Sequence, residues 1–158
     1  MNVEYANVFI RSALSVFTKE VKINLSRKDL YKKNTPSPSM PIAIVLGLTG
    51  FVRGQVVFSM DEEFALSVTR AMVPNILPAQ SKQLMNSAIS EIANMITGQA
   101  SISLAGGQEK IDLTPPMVIV SPAPGMSIDF LDTPTISLSL LSEIGVLEIN
   151  IALIDNEV

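Results

Sequence analysis

The sequence predicts an α/β fold of the α+β kind, in which long helices pack on a largely antiparallel sheet. Three observations carry this. Stretches near residues 3–21 and 81–105 place apolar residues at helical spacing. Residues 42–60 and 127–154 read as strand pairs joined by Gly-containing turns. A helix is followed by strands in both halves of the chain, which suggests pseudo-repeated halves.

The first helix is "VEYANVFIRSALSVFTKEV", with Val8, Ile10, Leu14 and Phe17 among its apolar positions. "LSRKDLYKKNTPSPSMP" follows; its prolines and serines predict a surface loop. "IAIVLGLTGFVRGQVVFSM" reads as two strands turning between Gly50 and Gly54, with Gly47 marking a bulge or a close backbone approach. A second helix starts at Asp61, a good N-cap, with Glu62 and Glu63 suited to the positive first turn. "PNILP" breaks the chain, and Ser81 is the expected cap of a third helix that Gly106-Gly107 ends. "EKIDLTPPMVIVSP", "SIDFLDTPTISLSLL" and "GVLEINIALI" read as strands, with "SEIG" turning between the last two. The expected order is α-β-β-α-α-β-β-β, and residues 1–158 are expected to form a single domain.

Composition removes many functions. The chain has 47% hydrophobic and 16% charged residues, which is a globular balance. Its net charge is −4 and it shows no basic stripe, so nucleic acid and anionic membrane are not expected partners. Cysteine and histidine are both absent, which excludes disulfides, thiolate chemistry and every His-dependent triad. No signal peptide is read at the start, and no stretch reaches the ~18 uninterrupted apolar residues of a membrane span. A cytoplasmic location is therefore expected.

The third helix carries the most distinctive surface pattern. On a wheel stepping ~100° per residue from Ser87, Glu91 falls near ~40°, Asn94 near ~−20° and Gly98 near ~20°. Met85, Ile89, Ile92 and Ile96 occupy the opposite side, the side expected to face the core. Glu91 and Asn94 stand one turn apart between two small residues and can reach the same external object. Gly98 costs the helix ~1 kcal/mol relative to Ala, as expected where another backbone approaches. Taken alone, the pattern reads first as a solvated polar face with an incidental glycine, and it names no reaction. Asp61, Glu62, Glu63 and Asp112 raise a metal-dependent hydrolase as a competing idea, but their spacing forms no ligand set.

"SAISEIANMITG" resembles the signature of the CheC/CheX/FliY family of chemotaxis phosphatases: Asp or Ser, three residues, Glu, two residues, Asn, and a later proline. Ser87, Glu91 and Asn94 match, with Pro115 or Pro116 a residue or so closer than usual. "GLTGFVRGQVVFSM", "KIDLTPPMVIV" and "LLSEIGVLEINIAL" are similar to further family segments, so the resemblance runs through most of the chain. A second Glu-x-x-Asn, Glu4 to Asn7, lacks the flanking pattern and reads as a first-turn acid with a surface amide. One good motif points to the CheX type.

The resemblance implies a CheC-like fold and a phosphatase acting on the aspartyl phosphate of a CheY-type response regulator. Mg²⁺ would be supplied by that regulator; no cofactor or metal of the chain's own is expected. Asn94 would orient the attacking water, and Glu91 would pair with a lysine beside the phosphorylation site. Ser87 and Gly98 would line the contact with the partner. The alternative implied by the family's kinship with flagellar-switch components is a non-catalytic binding module for a regulator or switch protein. A homodimer is also implied. The apolar C-terminal strands suit either an edge-to-edge interface or a buried position.

Overall fold

The computed structural model describes residues 3–106, 110–121 and 130–155. Helix α1 (Val3–Val16) runs into one π-helical turn (Phe17–Val21), which Lys22 closes at φ 63° by donating to the Phe17 carbonyl. Then follow β1 (Ser26–Lys33), β2 (Ile42–Gly50), β3 (Val52–Met60), α2 (Glu62–Met72), α3 (Pro78–Ala105), β4 (Ile111–Leu113), β5 (Met117–Val120), β6 (Thr135–Ser142) and β7 (Gly145–Asp155). All pairings are antiparallel, in the order β1-β6-β7-β3-β2-β4, with β5 also on β2.

This order is symmetric. Exchanging β1 with β4/β5, β2 with β6 and β3 with β7 leaves it unchanged. Each half is a helix, a first strand and a hairpin. The two hairpins meet at β3–β7, and each half's first strand flanks the other half's hairpin. The pseudo-repeat expected from the sequence is therefore present as a topology, with the first strands exchanged.

Alternation divides the sheet into two faces. Ile44, Leu46, Val56, Phe58, Leu138, Leu140, Ile149 and Ile151 point towards the helices and are buried. They meet Val8, Phe9 and Ala13 of α1, Phe64 and Val68 of α2, and Ile89, Ile92 and Ile96 of α3 in one core. Each such side chain contributes about 1.5–3 kcal/mol by leaving water. Phe17 and Phe64, with rings 5.9 Å apart, join the π turn to α2.

The opposite face carries no helix among the described residues. The link from β1 to β2 lies across it: the Ser39 N–H donates to Glu148 Oε1 of β7 at 2.9 Å. Residues returning to β6 lie there too, and the Thr133 N–H donates to the Asn34 carbonyl at 2.7 Å, tying the two links together. Beneath them Glu148, Asn150, Ser59 and Ser137 are buried.

Several expectations are corrected. The segment read as a loop contains β1, whose charged side chains are mostly exposed on both faces but whose backbone pairs with β6. Ser81 does not cap α3; Leu77 occupies the N-cap, Pro78 opens the helix, and Ser81 is buried one turn in. The strand expected over 127–141 is confined to β6; residues 130–134 are irregular, and 127–129 lie outside the described residues. The piece over 109–122 is two strands split at Thr114-Pro115-Pro116, where three residues oppose Leu46 and Gly47. Prolines have no N–H to give to the ladder, so the edge bulges. Of the two positions left open for the C-terminal strands, the structure takes the interior one: β7 lies between β6 and β3, and β1 covers β6. The order observed is α-β-β-β-α-α-β-β-β-β.

The other readings agree with the structure. Asp61 caps α2 by accepting from the Phe64 N–H at 2.8 Å. Gly106, at φ 60°, ends α3 in the left-handed region; Gly107 is outside the described residues. Gly47 is a site of close approach: its N–H donates to Thr114 Oγ1 at 2.8 Å and its carbonyl accepts from the Thr114 N–H at 2.9 Å.

Candidate functional site

Helix α3 is the site's scaffold. Its inward positions Met85, Ile89, Ile92 and Ile96 are buried, which fixes the helix's rotation. α1 and α2 both pack against α3, so its 28 residues are held from two sides as well as from the sheet. With rotation fixed, the remaining stripe faces outward. Ser87, Glu91 and Asn94 are exposed on it, and Gly98 is half-buried.

Glu91 and Asn94 have no hydrogen-bond or ion-pair partner among the described residues. Three residues apart on a helix, they are neighbours whose side chains can converge on a point outside the molecule. A methyl group built at Gly98 would meet nothing within 4 Å, so none of the described residues demands glycine there. The backbone approach expected at Gly98 is thus not made by any described residue, and the surface there is bare.

The site is a ridge. Hollows of about 480 and 520 Å³ lie instead around Gly47, Gly54, Gln55 and Ala152, and around Lys33, Asn34 and Thr135; neither is lined by α3. A ridge with two reaching polar groups suits entry into another molecule's cleft better than retention of a small ligand.

The sequence-predicted residues are thus only partly brought together. Ser87, Glu91, Asn94 and Gly98 share one face. Pro115 and Pro116 lie at the split of the outer edge strand. Glu4 and Asn7 are on α1, where Glu4 is exposed and Asn7 half-buried. The competing acid set does not converge: Asp61 caps α2, Glu62 pairs with Lys82 at 3.4 Å, and Asp112 pairs with Lys110 at 3.5 Å. No cluster of three or more His, Cys, Asp or Glu able to hold a metal occurs among the described residues. No helix among them is long and apolar enough to cross a membrane.

Sequence reasoning did not single out the buried polar cluster on the opposite face. Glu148 accepts from Ser59 Oγ at 2.7 Å and Asn150 Nδ2 at 2.8 Å, besides Ser39. Lys33 Nζ stands 3.6 Å from Glu148 and donates to Asn150 Oδ1 and to the Ser37 carbonyl, each at 2.9 Å. Burial pushes the Glu148 carboxyl up, but hydrogen bonds from Ser39, Asn150 and Ser59 outweigh it and hold it below its ordinary value. Its partners belong to the fold and fasten the β1–β2 link, so this is a structural cluster. The only signal in the sequence was the polar half of the alternation in "LEINIAL".

Comparison with known proteins identifies relatives of the chain. Residues 42–127, which include all of α3, match the family described as chemotaxis phosphatase CheX. The CheY-P phosphatase CheX of Thermotoga maritima is 35% identical over 78 residues, 49% of this chain and 50% of that protein. The match thus spans about half the length of this relative. The chemotaxis protein CheX from Desulfovibrio desulfuricans has a similar fold, with a TM-score of 0.80 at 22% identity over 97% of this chain and 99% of that one. So does the CheX of a CheX–CheY–BeF₃–Mg²⁺ complex from Borrelia burgdorferi, with a TM-score of 0.69 at 23% identity, covering 96% of this chain and 99% of that one. With its matched segment spanning residues 42–127 and the signature residues exposed on α3, the chain belongs to the chemotaxis phosphatase CheX family.

Proposed function

We propose that the chain accelerates hydrolysis of the aspartyl phosphate on a CheY-type response regulator, by inserting the outward face of α3 into the regulator's active site. The observation that carries this is the pair Glu91 and Asn94, exposed and unpartnered one turn apart, in the segment matching the CheX family. The Thermotoga relative is a CheY-P phosphatase and the Borrelia neighbour is seen with CheY, which supports both the reaction and the partner.

The reaction needs a water in line with the bond to be broken. The water oxygen bonds to phosphorus, the bond from phosphorus to the aspartyl oxygen breaks, and its electron pair returns to the carboxylate. The water's protons pass to the inorganic phosphate released and to solvent. An acyl phosphate already has a good leaving group, so placing the water is the main contribution left to make. The Asn94 carbonyl can accept from that water, while its NH₂ donates to the water or a phosphoryl oxygen. It brings no negative charge near the phosphate and does not titrate.

Glu91 serves a different end. A carboxylate beside a phosphate is repelled unless a cation intervenes. It pairs with a lysine of the regulator, a charge-assisted contact that orients the helix. Ser87 and Gly98 leave room for close approach. Mg²⁺ comes with the regulator, as the Borrelia complex, which includes both CheY and Mg²⁺, supports.

The decisive experiment follows the decay of phosphorylated response regulators from the same genome with wild-type protein and with Asn94→Ala. Wild type speeds decay of one regulator and the variant does not. Equal activity of the two proteins would sink the mechanism. Binding without acceleration by wild type would make the chain a non-catalytic module.

A homodimer is part of the same proposal. Of the sheet's two outer edges, β1 is lysine-rich, whereas β5 exposes Met117 and Val120. The apolar edge is the one suited to pair with a second copy. Light scattering on the purified protein gives twice the chain mass if so, and the chain mass if not.

A further inference from the structure

Two large apolar side chains stand exposed on α3, at opposite ends of the Glu91–Asn94 pair. Ile102 is 74% exposed and Leu84 39%. Eighteen residues separate them, five full turns at 3.6 residues per turn, so both point in the same direction ~27 Å apart. Glu91 lies within ~20° of the line joining them, Gly98 within ~40°, and Asn94 ~80° round the helix from it. Leu84 precedes Glu91 by ~10 Å and Ile102 follows Asn94 by ~12 Å along the axis.

Single exposed apolar residues need no explanation. These two differ in arrangement: they stand on one line along the helix, on either side of Glu91, which the fold leaves unpartnered, with Asn94 on the adjoining part of the same exposed face. A domain of ~100 residues has a radius of gyration of about 13 Å, wide enough to meet both ends at once. We infer that Leu84 and Ile102 are apolar docking points for the receiver domain of the phosphorylated response regulator, and that they set which regulator's rim the ridge accepts. This rests on the phosphatase reading above and extends it from the reacting centre to recognition. Polar groups at the centre of the ridge give orientation, whereas buried apolar contacts at its ends supply affinity without touching the phosphoryl group.

The predicted signature is a split in kinetics. A contact made equally before and during the reaction changes KM, whereas one that places the water changes kcat. The test uses the CheY-type regulator from the same genome, phosphorylated with a small-molecule phosphodonor. Ile102→Ser raises KM about tenfold and Leu84→Ser about threefold, with kcat little changed. In the same assay Asn94→Ala collapses kcat yet still binds the regulator loaded with beryllofluoride and Mg²⁺. A normal KM for both serine variants, alongside an inactive Asn94→Ala, overturns this inference and leaves the phosphatase reading standing. An active Asn94→Ala removes the reading and this inference together. A dimer that Ile102→Ser splits into monomers, read by light scattering, would assign Ile102 to a second copy of this chain and also overturn it.

Discussion

Lys33 Nζ stands 3.6 Å from Glu148 Oε2, joining the outermost strand β1 to the central strand β7 beneath the β1–β2 link. The carboxylate also accepts from Ser39, Ser59 and Asn150, so it is satisfied while buried. A carboxyl held low in the fold adds stability above its unfolded value near 4.5, and that stability is lost as pH falls through the lower folded value. Wild-type stability should therefore decline from about pH 5 downward, measured by denaturant unfolding across pH. Glu148→Gln should cost about 2 kcal/mol near neutral pH and flatten the acid slope. An unchanged slope in Glu148→Gln would place the acid sensitivity elsewhere.

Gly98 and Gly54 should answer the same substitution with opposite signs. Gly98 has open space and a helical environment, so Gly98→Ala gains about 1 kcal/mol of stability. Gly54 has φ 140°, and a Cβ there would lie 2.0 Å from the Ala152 carbonyl oxygen, so Gly54→Ala loses more than about 2 kcal/mol. Thermal melts of the two variants decide this. The stabilised Gly98→Ala should also dephosphorylate the regulator more slowly, because the methyl group stands on the face proposed to dock.

Asn94→Asp keeps the shape and changes only the charge. It should reduce the rate of regulator dephosphorylation about a hundredfold or more, since an anion replaces a donor beside the phosphoryl oxygens. Its circular dichroism and melting should match wild type, because the side chain is exposed and unpartnered.

Glu91→Gln should act on docking. Its expected effect is a rise in KM of about fivefold to tenfold and a weaker dependence of KM on salt, because one ion pair across the interface is gone. A drop in kcat at unchanged KM would give Glu91 a part in the chemical step instead.

Much of this was legible in the sequence because the signals were local. The 3.6-residue period of Met85, Ile89, Ile92 and Ile96 fixed which side of α3 is buried, and so which side carries Glu91 and Asn94. Asp61 capped its helix for reasons contained within four residues. Gly47 announced a close approach, although its partner Thr114, 67 residues away, was not nameable.

Tertiary structure decided whatever depended on distant partners. β1 carries lysines and serine that read as loop, yet its backbone pairs with β6 more than a hundred residues later; strand-forming here comes from the partner's open edge, not from β1's own side chains. Ser81 looked like a cap, but the helix is capped one turn earlier at Leu77 and Pro78 opens its first turn. Glu148 and Asn150 alternate with apolar residues as a solvated face would, and they are buried because a link between distant strands lies over them. Local sequence determined the helices, the hairpins and the outward-facing pair Glu91 and Asn94. Only the fold decided which polar residues stay in water, because burial depends on what the rest of the chain brings to cover them.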